Sequence, residues 1–366
     1  MTNFPTETEA RTALDALPGI RWRPFTREDL PAVAEFYQVC EAHDENPERT
    51  SLPGLEEFWD SPRSVPEHDT LSGFDAGGNI VATAWSGCNR SVTEKRGVHL
   101  GGAVHPSRRG VGIGRAVLRW ELGHGNEWDR TTRHPGYGPL VMRLGAPTAQ
   151  ADVRDLAVRY GLTAERYFFE MSQRLTAAPD VAQVDGIRLL DWDPERSAEV
   201  HAVVNAAFRD HWGHTDSTTE MWQEHLASHA FRPTWSVIAM DEVTDEVVGV
   251  ALNVACEQDW APQGYTEGYT DVLAVLRSHR GRGVATALLL DSMRRFSADG
   301  LEAAGLGVDE APTERDTPCS RQQLRHVRTG DPDRGSGPIA VSVDSVGDGD
   351  GSRLVVTTPP RTASFG

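Results

Sequence analysis

The chain has 366 residues, of which 39% are hydrophobic, enough for ordinary globular cores in two or three domains. A formal net charge of −18 and a pI near 5.1 argue against a general nucleic-acid binder, and against docking on an anionic membrane. No apolar run reaches the roughly 20 residues that span a bilayer, and the polar, acidic stretch from Met1 to Ala10 does not read as a secretory signal. The four cysteines, Cys40, Cys88, Cys256 and Cys319, are scattered without CxxC spacing. They read as reduced, buried thiols of a cytoplasmic protein rather than a disulfide scaffold or zinc site. Among the thirteen histidines there is no H-E-x-x-H, and no carboxylate-spaced set completes a site around His211 and His214, so no metal is expected.

In chain order, residues 1–18 read as a loose arm. Arg21–Pro24 reads as a strand. Thr26 then caps a helix, with Asp29 at the capping-box position and Val33, Phe36 and Tyr37 on one face. Thr70–Phe74 and Ile80–Ser86 pair around the turn Asp75-Ala76-Gly77-Gly78-Asn79. Val98–Val104 is a strand and Ala116–Leu122 begins a helix. Asp129–Gly138 reads as a polar surface loop, Leu140–Leu144 as a strand, and Asp152–Tyr160 as a helix ending at Gly161. Tyr167–Met171 begins a strand that closes this first half. Thr176–Asp185 reads as a linker. The order then repeats, with a helix over Glu195–Phe208 and strands over Trp235–Met240, Val247–Cys256 and Gly268–Val275. A helix over Ala285–Phe296 and a strand over Ala303–Val308 follow.

One glycine motif is written twice, about 170 residues apart. The copies are Arg109-Gly110-Val111-Gly112-Ile113-Gly114-Arg115 and Arg280-Gly281-Arg282-Gly283-Val284-Ala285-Thr286, both R-x-x-G-x-(G/A), each between a strand and a helix. Such a repeat sets the architecture. Glycines let a ligand approach the backbone closely. The amides of a helix's first turn lack intrahelical partners and lie at the positive end of the helix dipole, which suits a diphosphate. Neither copy has the Lys-Ser/Thr pair of a P-loop. Neither sits at the first strand of a βαβ series, as a dinucleotide fingerprint requires.

The arrangement resembles motif A of the GNAT superfamily, the acetyl-CoA-dependent N-acetyltransferases. Matched openings, Gly19-Ile20-Arg21-Trp22-Arg23-Pro24 and Gly186-Ile187-Arg188-Leu189-Leu190-Asp191, extend the likeness over roughly residues 19 to 310. The tandem layout looks like the actinobacterial group that includes mycothiol synthase. The resemblance implies an α/β fold with mixed, mostly antiparallel sheets. It implies an arm (1–18), a first domain (19–175), a linker (176–185), a second domain (186–310) and an atypical tail (311–366). It also implies that acetyl-CoA lies on both loops, with its pantetheine along the backbones of Ala103-Val104 and Ala274-Val275.

Acyl transfer needs a neutral amine, and a lysine-like amine is only about one part in 10³ neutral at pH 7, so a base is required. Where related enzymes carry a glutamate, six residues before Val275, this chain has Tyr269. Glu267 and Asp271 share its face by period-two geometry and are the candidate bases; both can equally be ordinary solvated carboxylates. The matching position in the first repeat is Val98, with no acid beside it. Its tyrosine-acid position falls on Ala157, with Tyr160 out of register. His211 and Trp212, in Asp210-His211-Trp212-Gly213, are candidates for lining the acceptor site, while Trp85 and Phe208 read as core.

After Asp309 the family's closing tyrosine helix is missing. The tail reads either as a diverged closure, with a helix over Cys319–Arg328 and a hairpin of Ile339–Val346 with Arg353–Thr358, or as a reading frame shifted near residue 311. A chain whose single lysine is Lys95 suits GC-rich coding, which favours the second. Two functions follow. One is an acetyl-CoA-dependent N-acyltransferase acting on a small-molecule amine, monomeric or weakly dimeric. The other is an acyl-CoA sensor or degenerate enzyme.

Overall fold

The computed structural model describes residues 5–310, apart from 47, 92–95, 148–149, 165–166, 210 and 212–213, together with the backbone of 355–356. The described residues divide into two compact units between Phe168 and Phe169. The first unit contains α1 (Glu7–Asp15), β1 (Arg21–Arg23), α2 (Leu30–His43), α3 (Leu52–Asp60), α4 (Pro66–Asp69), β2 (Thr70–Phe74) and β3 (Ile80–Cys88). It continues through β4 (Arg96–Val104), α5 (Ile113–Thr132), β5 (Leu140–Leu144), α6 (Ala151–Arg159) and β6 (Thr163–Ala164). Strands β1 to β4 form an antiparallel meander, and β5 joins β4 in parallel. The β2–β3 turn closes because Asp75 accepts the amides of Gly77 and Asn79, while Gly78 takes a φ of 84°. Helix α5 covers one face through Ile113, Val117 and Trp120. The α2–α3 pair covers the other through Val33, Phe36 and Phe58.

The second unit contains β7 (Tyr167–Arg174), β8 (Ile187–Asp191), α7 (Ser197–Phe208), α8 (Thr219–Ala227), β9 (Val237–Asp241) and β10 (Val247–Val254). Next come α9 (Glu257–Gln263), β11 (Glu267–Val275), α10 (Val284–Ala298) and β12 (Ala303–Glu310). Its sheet runs β7-β12-β11-β10-β9-β8, with β11 and β12 parallel. Helix α10 packs one face through Val284 and Leu288, and α7 with α8 the other through Val200, Val203 and Trp222. A two-residue strand, β13 (Val355–Val356), lies between β5 and β6 in parallel with both. The rest of the tail, with its expected helix and hairpin, lies outside the described residues.

Three sequence expectations change. Residues 1–18 are not all a loose arm. Thr6 and Glu9 form a capping box, and α1 buries Ala10 and Leu14 against α5. Glycine at position 123 permits this approach, since a Cβ there would stand 3.1 Å from the Pro5 carbonyl oxygen. The strand from Tyr167 does not close the first half. It lies beside β12 in the second sheet, so the division falls at 168/169 rather than after 175. Asp129–Thr132 is the last turn of α5 rather than loop, because buried Asp129 is the partner of Arg96 and Arg133. Helices α3, α8 and α9 carry too short a periodic pattern to be read from sequence.

Glu7 of α1 and Asp69 grip the two ring nitrogens of His124 on α5, at 3.0 and 3.2 Å, and Arg90 holds Asp69 in turn. Cys88 lies in the same cluster, but the carboxylate and imidazole atoms that would ligate a metal already hold one another and Arg90. Burial penalises the His124 charge, yet Asp69 and Glu7 outweigh it and raise its pKa to about 9. A raised folded pKa means that the imidazolium stabilises the fold fully below the ordinary value of 6.5, and that this contribution fades as pH rises through about 9. Thermal melting should therefore drop between pH 6.5 and 9 in the native chain, and His124→Gln should flatten that part of the profile.

Candidate functional site

Both glycine motifs begin where a strand outruns its neighbour. The β4–β5 pairing covers Arg96–Leu100, leaving Gly101–Val104 bound only to β3. The β11–β12 pairing covers Glu267–Thr270, and Asp271–Val275 continue on β10 alone. Antiparallel ladders alternate which residues face the partner. The His105 amide bonds Val81 and the Leu276 amide bonds Val248. Ala103 and Ala274 therefore turn their backbone groups toward β3 and β10. Val104 and Val275, with Gly102 and Leu273 two residues earlier, turn theirs to the open edge. Gly102 and Leu273 were missed in the sequence because ladder phase depends on the partner strand.

Past each strand end a 3₁₀ turn leads into the loop, whose glycines match in conformation. Gly110 and Gly112 have φ of 79° and 94°, and Gly281 and Gly283 have 73° and 87°. These left-handed values require glycine. The third position does not. A Cβ at Gly114 would make only a 3.7 Å contact with Val104, which is why Ala285 serves in the second copy. Among the described residues, no acceptor takes the amides of Gly110–Arg115 or of Gly281–Thr286. Each loop thus presents a run of open N–H groups at a helix N-terminus.

The arginines of the motif face away from this role. Arg109 donates through Nε to the Val104 carbonyl at 2.9 Å and through its other nitrogens to Asp44, the residue that ends α2. Arg280 donates through Nε to the Val275 carbonyl at 3.1 Å and through Nη2 to the Ala207 carbonyl in the last turn of α7 at 2.6 Å. Both clamp a strand end to a helix end, instead of reaching for an anion. Arg282 is tied to the Asp185 carbonyl. Arg115 and Val111 are exposed, while Ile113 and Val284 are buried anchors of their helices.

The two central strands differ by one residue. Leu252 pairs with Val272 and Asn253 with Thr270, so Asp271 is an extra residue, a β-bulge. The first unit has no such shift: Trp85 pairs with Gly101 and Ser86 with Leu100. Counted through the ladders, Tyr269 corresponds to His99 and not to Val98. Val98 packs on the α5 side with Leu118 and Leu122. Burial, together with the charge of Arg143, depresses the His99 pKa to about 4 and keeps its ring neutral. Ala157 is fully buried and Tyr160 packs beside it in the same core. Trp85 lies flat on Gly101, where a Cβ would come within 2.3 Å of the indole, and Phe208 packs against the α7–α8 core.

In the second unit the bulge holds Asp271 on the face of Glu267 and Tyr269. Glu267 is buried and accepts a hydrogen bond from the Ser172 hydroxyl at 2.6 Å. Tyr269 is buried and donates to Glu170 at 3.2 Å. Asp271 stands one residue past the last β11–β12 pair, with Nδ1 of His225 from α8 at 3.7 Å. His225 was not singled out from sequence, since nothing local marks it. His211 is exposed beyond α7 with its ring 5.4 Å from Phe208, and Trp212 lies outside the described residues.

Among the described residues, no helix is long and apolar enough to cross a membrane. Residues 198–316 match the acetyltransferase (GNAT) family. A mycothiol acetyltransferase of Mycolicibacterium vanbaalenii is 29% identical over 208 residues, which are 56% of this chain and 62% of that relative. The chain thus spans about three fifths of that relative's length. A GCN5-related N-acetyltransferase from Sphaerobacter thermophilus has the same fold, with a TM-score of 0.64 at 20% identity over 82% of this chain and 90% of that one. A tandem GNAT protein from the clavulanic acid biosynthesis pathway superposes with a TM-score of 0.53 at 16% identity over 82% and 91% of the two chains.

Arg109→Gln should cost about 1.5–3 kcal/mol in urea unfolding, the range for hydrogen bonds to charged groups. Asp44→Asn added to it should cost little more, since the two side chains form one clamp.

Proposed function

We propose that this chain, a tandem GNAT-fold protein whose residues 198–316 match the acetyltransferase (GNAT) family, is a cytoplasmic N-acetyltransferase that moves the acetyl group of acetyl-CoA to the amine of a small molecule. The observation that carries the reading is the pair of matched loops, each with open amides beside an unpaired strand edge. The diphosphate of coenzyme A would sit on the amides of 110–115 or 281–286, where the helix dipole favours it. Pantetheine would pair with the backbone of Gly102 and the Val104 N–H, or of Leu273 and the Val275 N–H, the two valine carbonyls being held by Arg109 and Arg280. The Val275 N–H would then stand near the thioester carbonyl and polarise it.

The second unit carries the chemistry in this reading. It contains the bulge and the carboxylates Glu267 and Asp271, whereas the first unit places the neutral His99 at the corresponding strand position. The reaction removes a proton from the substrate ammonium. The nitrogen lone pair then attacks the thioester carbon, the C–S bond breaks, and the thiolate takes the second proton that nitrogen loses. Asp271 lies at the mouth of the open edge. Glu267 lies four residues back along the strand, covered by Ser172. Either would accept the first proton through water. His211 and Trp212, beyond α7, would border the acceptor. The name carried by the curated relatives makes a mycothiol-like amine the first acceptor to try.

Coenzyme A should raise stability by about 2.7 kcal/mol at a hundred times its dissociation constant. Gly112→Asp and Gly283→Asp should each weaken binding by placing a negative side chain where the diphosphate lies; unchanged affinity in the double variant would remove both loops from the site. Asp271→Asn should lower acetyl transfer at neutral pH by about 10²-fold with little change in coenzyme affinity. Activity that survives both Asp271→Asn and Glu267→Gln would move the chemistry elsewhere.

A further inference from the structure

His225 stands on α8 with its ring held from several sides. Trp222, one turn earlier, stacks on it with centroids 5.9 Å apart, and Phe231 lies 6.0 Å away. Trp222 is itself fixed by a 2.9 Å hydrogen bond to Ser197 and by stacking on His201 at 4.9 Å. Across from this shelf is Asp271, whose side chain is only 7% exposed, with its Oδ2 3.7 Å from Nδ1. The other ring nitrogen, Nε2, is buried and makes no hydrogen bond among the described residues. Buried polar atoms are normally satisfied, and an orphan calls for an explanation, a catalytic role being one.

Resting on the acetyltransferase reading above, but replacing its carboxylate base, we propose that His225 is the catalytic base, with Asp271 as its positioning residue. At 3.7 Å the Asp271 carboxylate is just beyond hydrogen-bond reach of Nδ1, yet its charge favours the tautomer that carries the proton there, which leaves the Nε2 lone pair to accept one. Imidazoles as a class protonate closer to neutrality than carboxylates, so they suit proton removal at pH 7 better. The bulge supplies the geometry: it inserts Asp271 at the point where β11 leaves β12, which sets the pair at the mouth of the edge where the thioester would lie. Nε2 takes the ammonium proton, and the freed lone pair forms the C–N bond as above. The resulting imidazolium is stabilised by Asp271.

The test uses the full chain, acetyl-CoA and a panel of primary amines free of thiols, with release of the coenzyme A thiol as the readout. His225→Gln should lower kcat about 10²-fold or more at neutral pH, at least as far as Asp271→Asn, with the KM for acetyl-CoA unchanged. His225→Phe keeps the stacking on Trp222 and should fail equally, which separates lost chemistry from lost packing. Asp271→Glu, which keeps a carboxylate beside Nδ1, should recover part of the kcat that Asp271→Asn loses, a rescue that a merely structural role would not give. The double variant should be no slower than His225→Gln. A wild-type rate and pH profile in His225→Gln, or losses that multiply in the double variant, overturns the dyad. A native chain that binds acetyl-CoA yet acetylates no amine overturns the acetyltransferase reading itself, and the dyad with it.

Discussion

Both units turn on an unpaired strand edge. A strand buried in a sheet ordinarily satisfies its backbone on both sides, and leaving one side open is costly unless water or a ligand takes the groups. Here β4 and β11 each give up one neighbour over their last residues while keeping the other. The arginine clamp makes this local departure rigid. Arg109 and Arg280 hold the carbonyl at the strand end and tie it to the end of the helix on the far face. The glycine loop, the helix N-terminus and the open edge then keep a fixed relation. In the first copy the helix end offers an aspartate, and in the second a last-turn carbonyl, where the helix dipole is negative.

The units share this frame and diverge in the centre of the sheet. One inserted residue, Asp271, changes what the β11 face presents. Around it gather Glu267, Tyr269 and His225, from a strand and a helix distant in sequence. The corresponding strand of the first unit keeps a regular ladder and presents a glycine covered by Trp85 of β3 and a histidine held neutral by burial. The first unit instead concentrates buried charge elsewhere, in the His124, Asp69, Glu7 and Arg90 cluster that fastens α1.

The sequence by itself determined the repeat, the two loops and the order of strands around them. These are local matters: glycine is required at positive φ at positions 110, 112, 281 and 283, and apolar runs flank each motif. It also placed Glu267, Tyr269 and Asp271 on one face of their strand. Tertiary structure decided what local pattern does not encode. The partner strand sets ladder phase, so only the fold shows that Val104 and Val275, and not Ala103 and Ala274, face the open edge. A bulge is one residue out of register with a neighbour, so matching the repeats by count placed Val98 where the ladders place His99. The motif arginines hold strand-end carbonyls five residues back, but their second partners, Asp44 and the Ala207 carbonyl, come from distant segments that no local pattern reveals. His225 meets Asp271 only because α8 folds over β11, and side chains 46 positions apart in the chain become partners through packing that no short stretch of sequence records.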